Sequence, residues 1–292
     1  MYQIDNNNIV ISEQADFDIE DVLECGQCFH FTKLQDKDYE LIAFGKYLHV
    51  KQDLSENKIY LYDTTEDDFL NIWIKYFDLE KDYAQIKEHI INCDDRLRNA
   101  IEEKKGIRIL KQDFFETLIS FIISQNKQIP HIKAIVHNLS MKYGDEIKLS
   151  DGTIRYSFPT LEQLNNVTVD ELRECKCGFR APYIRDAVDK VYAGEITESI
   201  LKTMSVDEAR NKLMEIKGVG EKVANCTLLF GLGFNNVFPV DVWMKRIMEN
   251  MYFGEDTKKE IIEKFALKKY GEYAGYAQQY LFFYGREKGI GK

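Results

Sequence analysis

The chain has 292 residues, 45% of them hydrophobic and 30% charged, enough length and apolar content to bury two ordinary domains or one large one. No run of about 18 apolar residues is present, because Phe114 to Ile123 is interrupted by Glu116, Thr117 and Ser120, so a membrane-spanning helix is excluded. The formal net charge of −10 argues against a polyanionic partner until it is divided along the chain: residues 1–95 hold 8 Lys/Arg against 22 Asp/Glu, which leaves residues 96–292 with a net +4. Local patches decide where a polyanion docks.

Met1 to Val10 lacks a basic start followed by an apolar block, so no secretory signal is read and a cytoplasmic protein is expected. The first 63 residues carry short β-rich runs at Ile9 to Ile11, Cys28 to Leu34, Tyr39 to Val50 and Lys58 to Tyr62, separated by polar turns. They predict an antiparallel sheet. After Thr64 the period becomes helical, starting with Phe69, Ile72, Trp73, Tyr76 and Phe77 on one stripe. Helices are predicted over 82–91, 94–104, 112–124, 129–143, 160–165, 168–175, 180–193, 205–215, 220–231, 241–252, 257–270 and 273–287, with Asp94, Ser205, Asp241 and Thr257 as caps. The fold class is therefore α+β: a sheet domain over 1–110 and a helical domain over 111–292. Six cysteines without an export signal predict reduced thiols, and Cys25-x-x-Cys28 finds no partner pair at zinc-site spacing, so no metal site is expected.

The segment 205–231 has the most specific sequence. Leu213 to Asn225 reads as an amphipathic helix, a Gly218-Val219-Gly220 turn and a second helix beginning with small residues. Glycines there allow positive φ and leave bare N–H groups at a helix N-terminus, which suits a phosphate; a tight helical hairpin packed closely for purely structural reasons is the alternative. The longer pattern, with Ile216 before the turn, Lys222-Val223-Ala224 after it and Val237-Phe238-Pro239-Val240-Asp241 beyond, resembles the helix–hairpin–helix base-excision glycosylases. Four more blocks are similar to the 8-oxoguanine DNA glycosylase/lyase family in a bacterial form: Glu24 to Phe29, Ser124 to Ile129, Gly178 to Tyr183 and Tyr273 to Phe282.

That resemblance implies a bifunctional enzyme acting on double-stranded DNA that contains 8-oxoguanine, working as a monomer at the nucleoid by a chemistry that asks for no cofactor. It implies Lys222 as the Schiff-base nucleophile and Asp241 as the carboxylate beside the sugar. The helix dipole at Lys222 and a desolvating pocket both favour the neutral amine that must attack. Gly26, Cys226, Gln278 and Phe282 are implied to form the base pocket, Asn126 and Phe179 to fill the gap in the duplex, and Arg180 and His131 to face the opposite base. His131 stands where eukaryotic members have an arginine, which predicts relaxed opposite-base selection. Trp243 and Gly285 replace a His and its acidic partner. A glycosylase for another lesion, such as an alkylated purine, and a non-catalytic helix–hairpin–helix DNA-binding protein are the competing readings.

Overall fold

The computed structural model describes residues 1–5 and 8–290. Six strands, β1 (Tyr2–Asp5), β2 (Asn8–Ser12), β3 (Phe31–Gln35), β4 (Asp38–Ala43), β5 (Lys46–Asp53) and β6 (Lys58–Tyr62), form an antiparallel sheet in the order β1-β2-β6-β5-β4-β3. The expected single run over Tyr39 to Val50 is two strands. Phe44 and Gly45, at φ 51° and 71°, make a two-residue turn, and Ala43 pairs with Lys46 across it; two adjacent positive φ values match the twist of a tight hairpin.

Alternation puts Ile9, Ile11, Leu41, Leu48, Val50, Ile59 and Leu61 on the inner face, against Phe69, Trp73 and Phe77. Trp73 is fully buried, and its indole N–H donates to Thr64 Oγ1 at 2.9 Å. Helix α1 (Ile19–Glu24) lies in the stretch read as sheet; Asp18 caps it by accepting from the amides of Glu20 and Asp21.

The rest is helical, and the α+β class holds. The elements that frame the site are α2 (Phe114–Ser124), α3 (Ile129–Tyr143), α4 (Ala181–Tyr192), α5 (Val206–Met214), α6 (Glu221–Leu232), α7 (Val242–Met248), α8 (Lys259–Tyr270) and α9 (Ala274–Lys288). Helix α2 is apolar nearly all round because it is the centre of the helical core, buried from Leu118 to Ile123. Ser205 caps α5 through a reciprocal box with Glu208. Thr257 does not cap α8: Lys258 holds that position without a side-chain bond, and the Thr257 hydroxyl donates to Glu255 O. A small hairpin of Glu146–Lys148 with Ile154–Tyr156 and a short helix at Glu198–Lys202 had no periodic signal long enough to read. Among the described residues, no helix is long and apolar enough to cross a membrane.

Buried side chains lock the sheet to the helices. Arg108, 2% exposed, donates to the carbonyls of Ala15, Asp16 and Asp78. Gln27, fully buried, donates to Val22 O and Arg108 O and accepts from the Leu110 amide. Both ends of the Gln27 amide are thereby satisfied, as burial demands, and the Gly26 loop is fixed against the start of the helical body.

Candidate active site

A cleft of about 850 Å³ opens where α2, α6 and α7 converge. Its walls include Asn126, Lys127, Phe179, Gly220, Lys222 and Asp241, so residues from three of the five sequence blocks meet at one place. Five of these six are polar or glycine.

The hairpin between α5 and α6 brings Lys222 there. Gly218 has φ +78°, and a Cβ on it would lie 2.4 Å from Tyr183 Cδ2, so only glycine lets the turn close against α4. The Lys217 amide donates to Asp186 Oδ2 at 2.7 Å and tightens the same contact. Gly220 differs from the expectation: its φ is −105°, an extended conformation open to any residue, and nothing lies within 4 Å of its Cβ position. It is the cap residue of α6, it has no side chain to bond the first amides, and it faces the cleft.

Lys222 sits half-buried in the first turn of α6. Its amine donates to Ser124 Oγ at 3.1 Å and lies 4.8 Å from the centroid of Phe121. Asp241 accepts from the Met244 amide at 2.7 Å, capping α7, and also lines the cleft. One turn beyond Lys222, Cys226 is buried, and desolvation pushes its thiol up to about 11 despite the nearby lysine. Beneath the hairpin, Arg210 donates to Asn225 Oδ1 at 2.7 Å and to Glu263 Oε1 at 2.9 Å, and Asn225 Nδ2 donates to the same oxygen at 3.0 Å. This network ties α6 to α5 and α8. Sequence reasoning missed it, and missed Ser124 as the partner of Lys222, because neither contact has a local signature.

The opposite wall carries Asn126 and Phe179. Asn126 follows the C-terminus of α2 in the left-handed region, φ +53°, with its side chain exposed. Asparagine is among the few non-glycine residues that adopt this conformation at little strain. Phe179 is 55% exposed, so it is not core. Arg180, beside it, is 2% exposed. Its Nε donates to Gln125 O at 2.9 Å, its Nη2 to the carbonyls of Gln125 and Asn126, and its guanidinium carbon lies 4.2 Å from the Phe179 centroid. The guanidinium therefore holds the Asn126 turn. His131 is exposed in the first turn of α3 and does not line the cleft.

Gly26, Cys226, Gln278 and Phe282 are not among the residues that line the cleft. Gly26 has φ +84°, and its Cβ position is 3.4 Å from Phe282 Cε1, so the N-terminal block and α9 are in contact. Gln278 is buried, donates to Pro239 O at 3.4 Å and has no partner for its Oε1 among the described residues. Gly285 packs on Ile247, whose Cδ1 would be 2.5 Å from a Cβ there. The six cysteines are unpaired, and no cluster of three or more His, Cys, Asp or Glu side chains suited to a metal occurs among the described residues.

A sheet domain joined to a helical body, with a lysine in the hairpin and an aspartate capping the next helix of one cleft, defines the class as a helix–hairpin–helix base-excision glycosylase. Residues 9–118 match the family described as 8-oxoguanine DNA glycosylase, N-terminal domain, and residues 119–272 match the HhH-GPD superfamily base excision DNA repair proteins. A solved structure of MBOgg1 with a low-affinity DNA ligand is 42% identical over 99% of each chain, with a TM-score of 0.95. The Clostridium acetobutylicum 8-oxoguanine glycosylase/lyase, solved with duplex DNA carrying cytosine opposite 8-oxoguanine, is 38% identical over 99% of each chain, also at 0.95. A probable N-glycosylase/DNA lyase of Methanothermobacter thermautotrophicus is 32% identical over 73% of this chain and 72% of its own. The chain belongs to the 8-oxoguanine DNA glycosylase family.

Proposed function

We propose that the chain excises 8-oxoguanine from duplex DNA and then cuts the strand at the emptied site. The observation that carries this reading is the Lys222 amine and the Asp241 carboxyl in the walls of one cleft, flanked by the exposed Phe179 and the left-handed turn at Asn126. A base inside a duplex is out of a nucleophile's reach, so it must be turned out and the hole filled; on this reading Phe179 and Asn126 fill it. Gly220 caps α6 without a side chain, so the first amides of that helix are left for a backbone phosphate, while the Val219 amide closes the turn by donating to Ile216 O at 3.0 Å.

Lys222 Nζ attacks C1′, and the C1′–N9 bond breaks with its electron pair leaving on the base. Loss of the amine proton and opening of the sugar give the Schiff base. Removal of a C2′ proton then expels the 3′-phosphate. Asp241 stabilises the positive charge that builds on the sugar. In the pocket, the Gly26 carbonyl accepts the N7–H that distinguishes 8-oxoguanine from guanine, Phe282 and Cys226 cover the two faces, and Gln278 pairs with the Watson–Crick edge. The buried Gln278 Oε1, unpartnered among the described residues, supports that pairing, since such an acceptor is costly unless a ligand satisfies it.

Opposite-base selection is relaxed on the same reading. His131 offers no fork of donors to a cytosine, and the Arg180 guanidinium is already engaged by two backbone carbonyls. Excision opposite each of the four bases tests this; a preference for cytosine above about a hundredfold, the upper end of one matched contact, overturns it.

Borohydride trapping on 8-oxoguanine duplex tests the chemistry. The wild type should form a covalent adduct that Lys222→Gln does not form. Full trapping by the variant refutes Lys222 as the nucleophile. Release of an alkylated purine in place of 8-oxoguanine refutes the substrate, and tight binding without any adduct points to a non-catalytic module.

A further inference from the structure

Gln278, Phe282 and Arg286 stand four residues apart and form one stripe along α9. The first two belong to the base pocket proposed above, and the third has no assigned role. Arg286 Nη2 donates to Glu24 O at 2.7 Å, which fixes the strand of chain leading into Gly26. Nη1 of the same guanidinium is buried and has no hydrogen-bond partner among the described residues. It lies 3.5 Å from the Cβ position of Gly26, beside Phe282 Cε1 at 3.4 Å and Ile129 Cδ1 at 3.6 Å. The guanidinium carbon is 5.5 Å from the Phe282 centroid and 5.4 Å from that of Phe283, so two aromatic rings limit its movement.

A buried cationic donor left without a partner is costly, and native structures retain such groups where a ligand completes them. We propose that Arg286 Nη1 reads the C8 oxygen of the extruded 8-oxoguanine, an inference that rests on the assignment of Gly26 to N7–H. The ligand geometry requires little else. In 8-oxoguanine the N7–H donor and the C8=O acceptor are neighbours on the imidazole edge, so a site with a carbonyl and a cationic N–H side by side matches both. Guanine reverses the first and lacks the second: its N7 lone pair meets the Gly26 carbonyl, and its C8–H leaves Nη1 unpaired. With Gln278 at one end of the stripe, Phe282 in the middle and Arg286 at the other, the order follows the long axis of a purine from its Watson–Crick edge to C8.

Arg286→Gln is the informative variant, because the amide keeps a donor for Glu24 O while losing the charge and the second donor. The measurement is a ratio: single-turnover release of 8-oxoguanine divided by cleavage of a duplex with a preformed abasic site, where no base is present to be read. The ratio should fall about 10- to 100-fold in Arg286→Gln, the range of one hydrogen bond to a charged group, and recover in part in Arg286→Lys. A ratio within about threefold of wild type, whether both rates hold or both fall together, overturns the assignment. If wild type cleaves the abasic duplex but releases no 8-oxoguanine, the substrate reading fails and this inference fails with it; an unchanged ratio in a competent enzyme removes Arg286 alone.

Discussion

The two glycines of the hairpin should fail in different ways when each is changed to alanine. At Gly218 the backbone is left-handed, φ +78°, and the added Cβ falls 2.4, 2.5 and 2.6 Å from Cδ2, Cγ and Cε2 of Tyr183. An L side chain in that region costs about 1–2 kcal/mol. Relieving the overlap requires the ring or the turn to move by roughly 1 Å, a distortion in the range of about 1–3 kcal/mol for overpacked sites. The sum, roughly 2–5 kcal/mol, corresponds to a fall in Tm of roughly 3–8 °C for a chain of this size. The turn would also swing away from α4 and carry Lys222 with it. At Gly220 the backbone is extended and the space around it is open, so alanine should change stability by less than about 1 kcal/mol, the cap penalty being offset by a stiffer unfolded chain. Its methyl group would stand where a phosphate approaches α6. Urea denaturation together with affinity for an uncleavable lesion duplex separates the two: Gly218→Ala loses stability, and Gly220→Ala keeps stability and loses affinity. Wild-type stability in Gly218→Ala would refute the packing argument, and undiminished affinity in Gly220→Ala would refute phosphate contact at the turn.

Asp241→Asn retains an acceptor for the Met244 amide and should fold normally while base release slows roughly 10²- to 10³-fold, as for loss of one preorganised electrostatic group; circular dichroism and single-turnover release check both halves. Only residues beyond 95 carry a net positive charge, and Lys127 and Lys259 both border the cleft. Two phosphate contacts alone should weaken DNA binding about tenfold between 50 and 200 mM salt, and a flat titration would exclude them. Away from the cleft, burial raises the Glu116 carboxyl to about 8 and lowers the His30 imidazole to about 4, and the pair lie 3.8 Å apart. A raised carboxyl favours the folded state below its ordinary 4.5 and loses that preference as pH rises toward 8. Glu116→Gln should therefore gain on wild type by on the order of 4 kcal/mol between pH 5 and 9. The depressed histidine works at the acid end, where stability falls as pH drops from about 6.5 to about 4, so His30→Gln should flatten that limb.

The α+β division and nearly every long helix were legible because their signals are local. Ser205 with Glu208 marks the start of α5, and the 3.6-residue stripe beginning at Phe69 marks the change from sheet to helix. The errors occur where a short polar or special-φ pair decides the outcome. Phe44 gives no warning that it will adopt φ 51°, and six residues at 19–24 are too few for a period to emerge between β-rich neighbours.

The site was legible in a different sense, because its residues lie far apart in sequence and only a family pattern could gather them. Lys222 and Asp241 do line one cleft, but their supports were invisible. Ser124 is 98 residues from the lysine it bonds. Arg180, read as a base-facing residue, is buried under the Asn126 turn. The distinction matters for interpreting mutants. Loss of Arg180 withdraws bonds from the carbonyls of Gln125 and Asn126, releasing the turn that presents Asn126 and removing the cation beneath Phe179. A weakened lesion complex in an Arg180 variant is therefore explained by the Asn126 turn losing its support, and opposite-base discrimination must be measured separately before any reading of cytosine is assigned to this arginine.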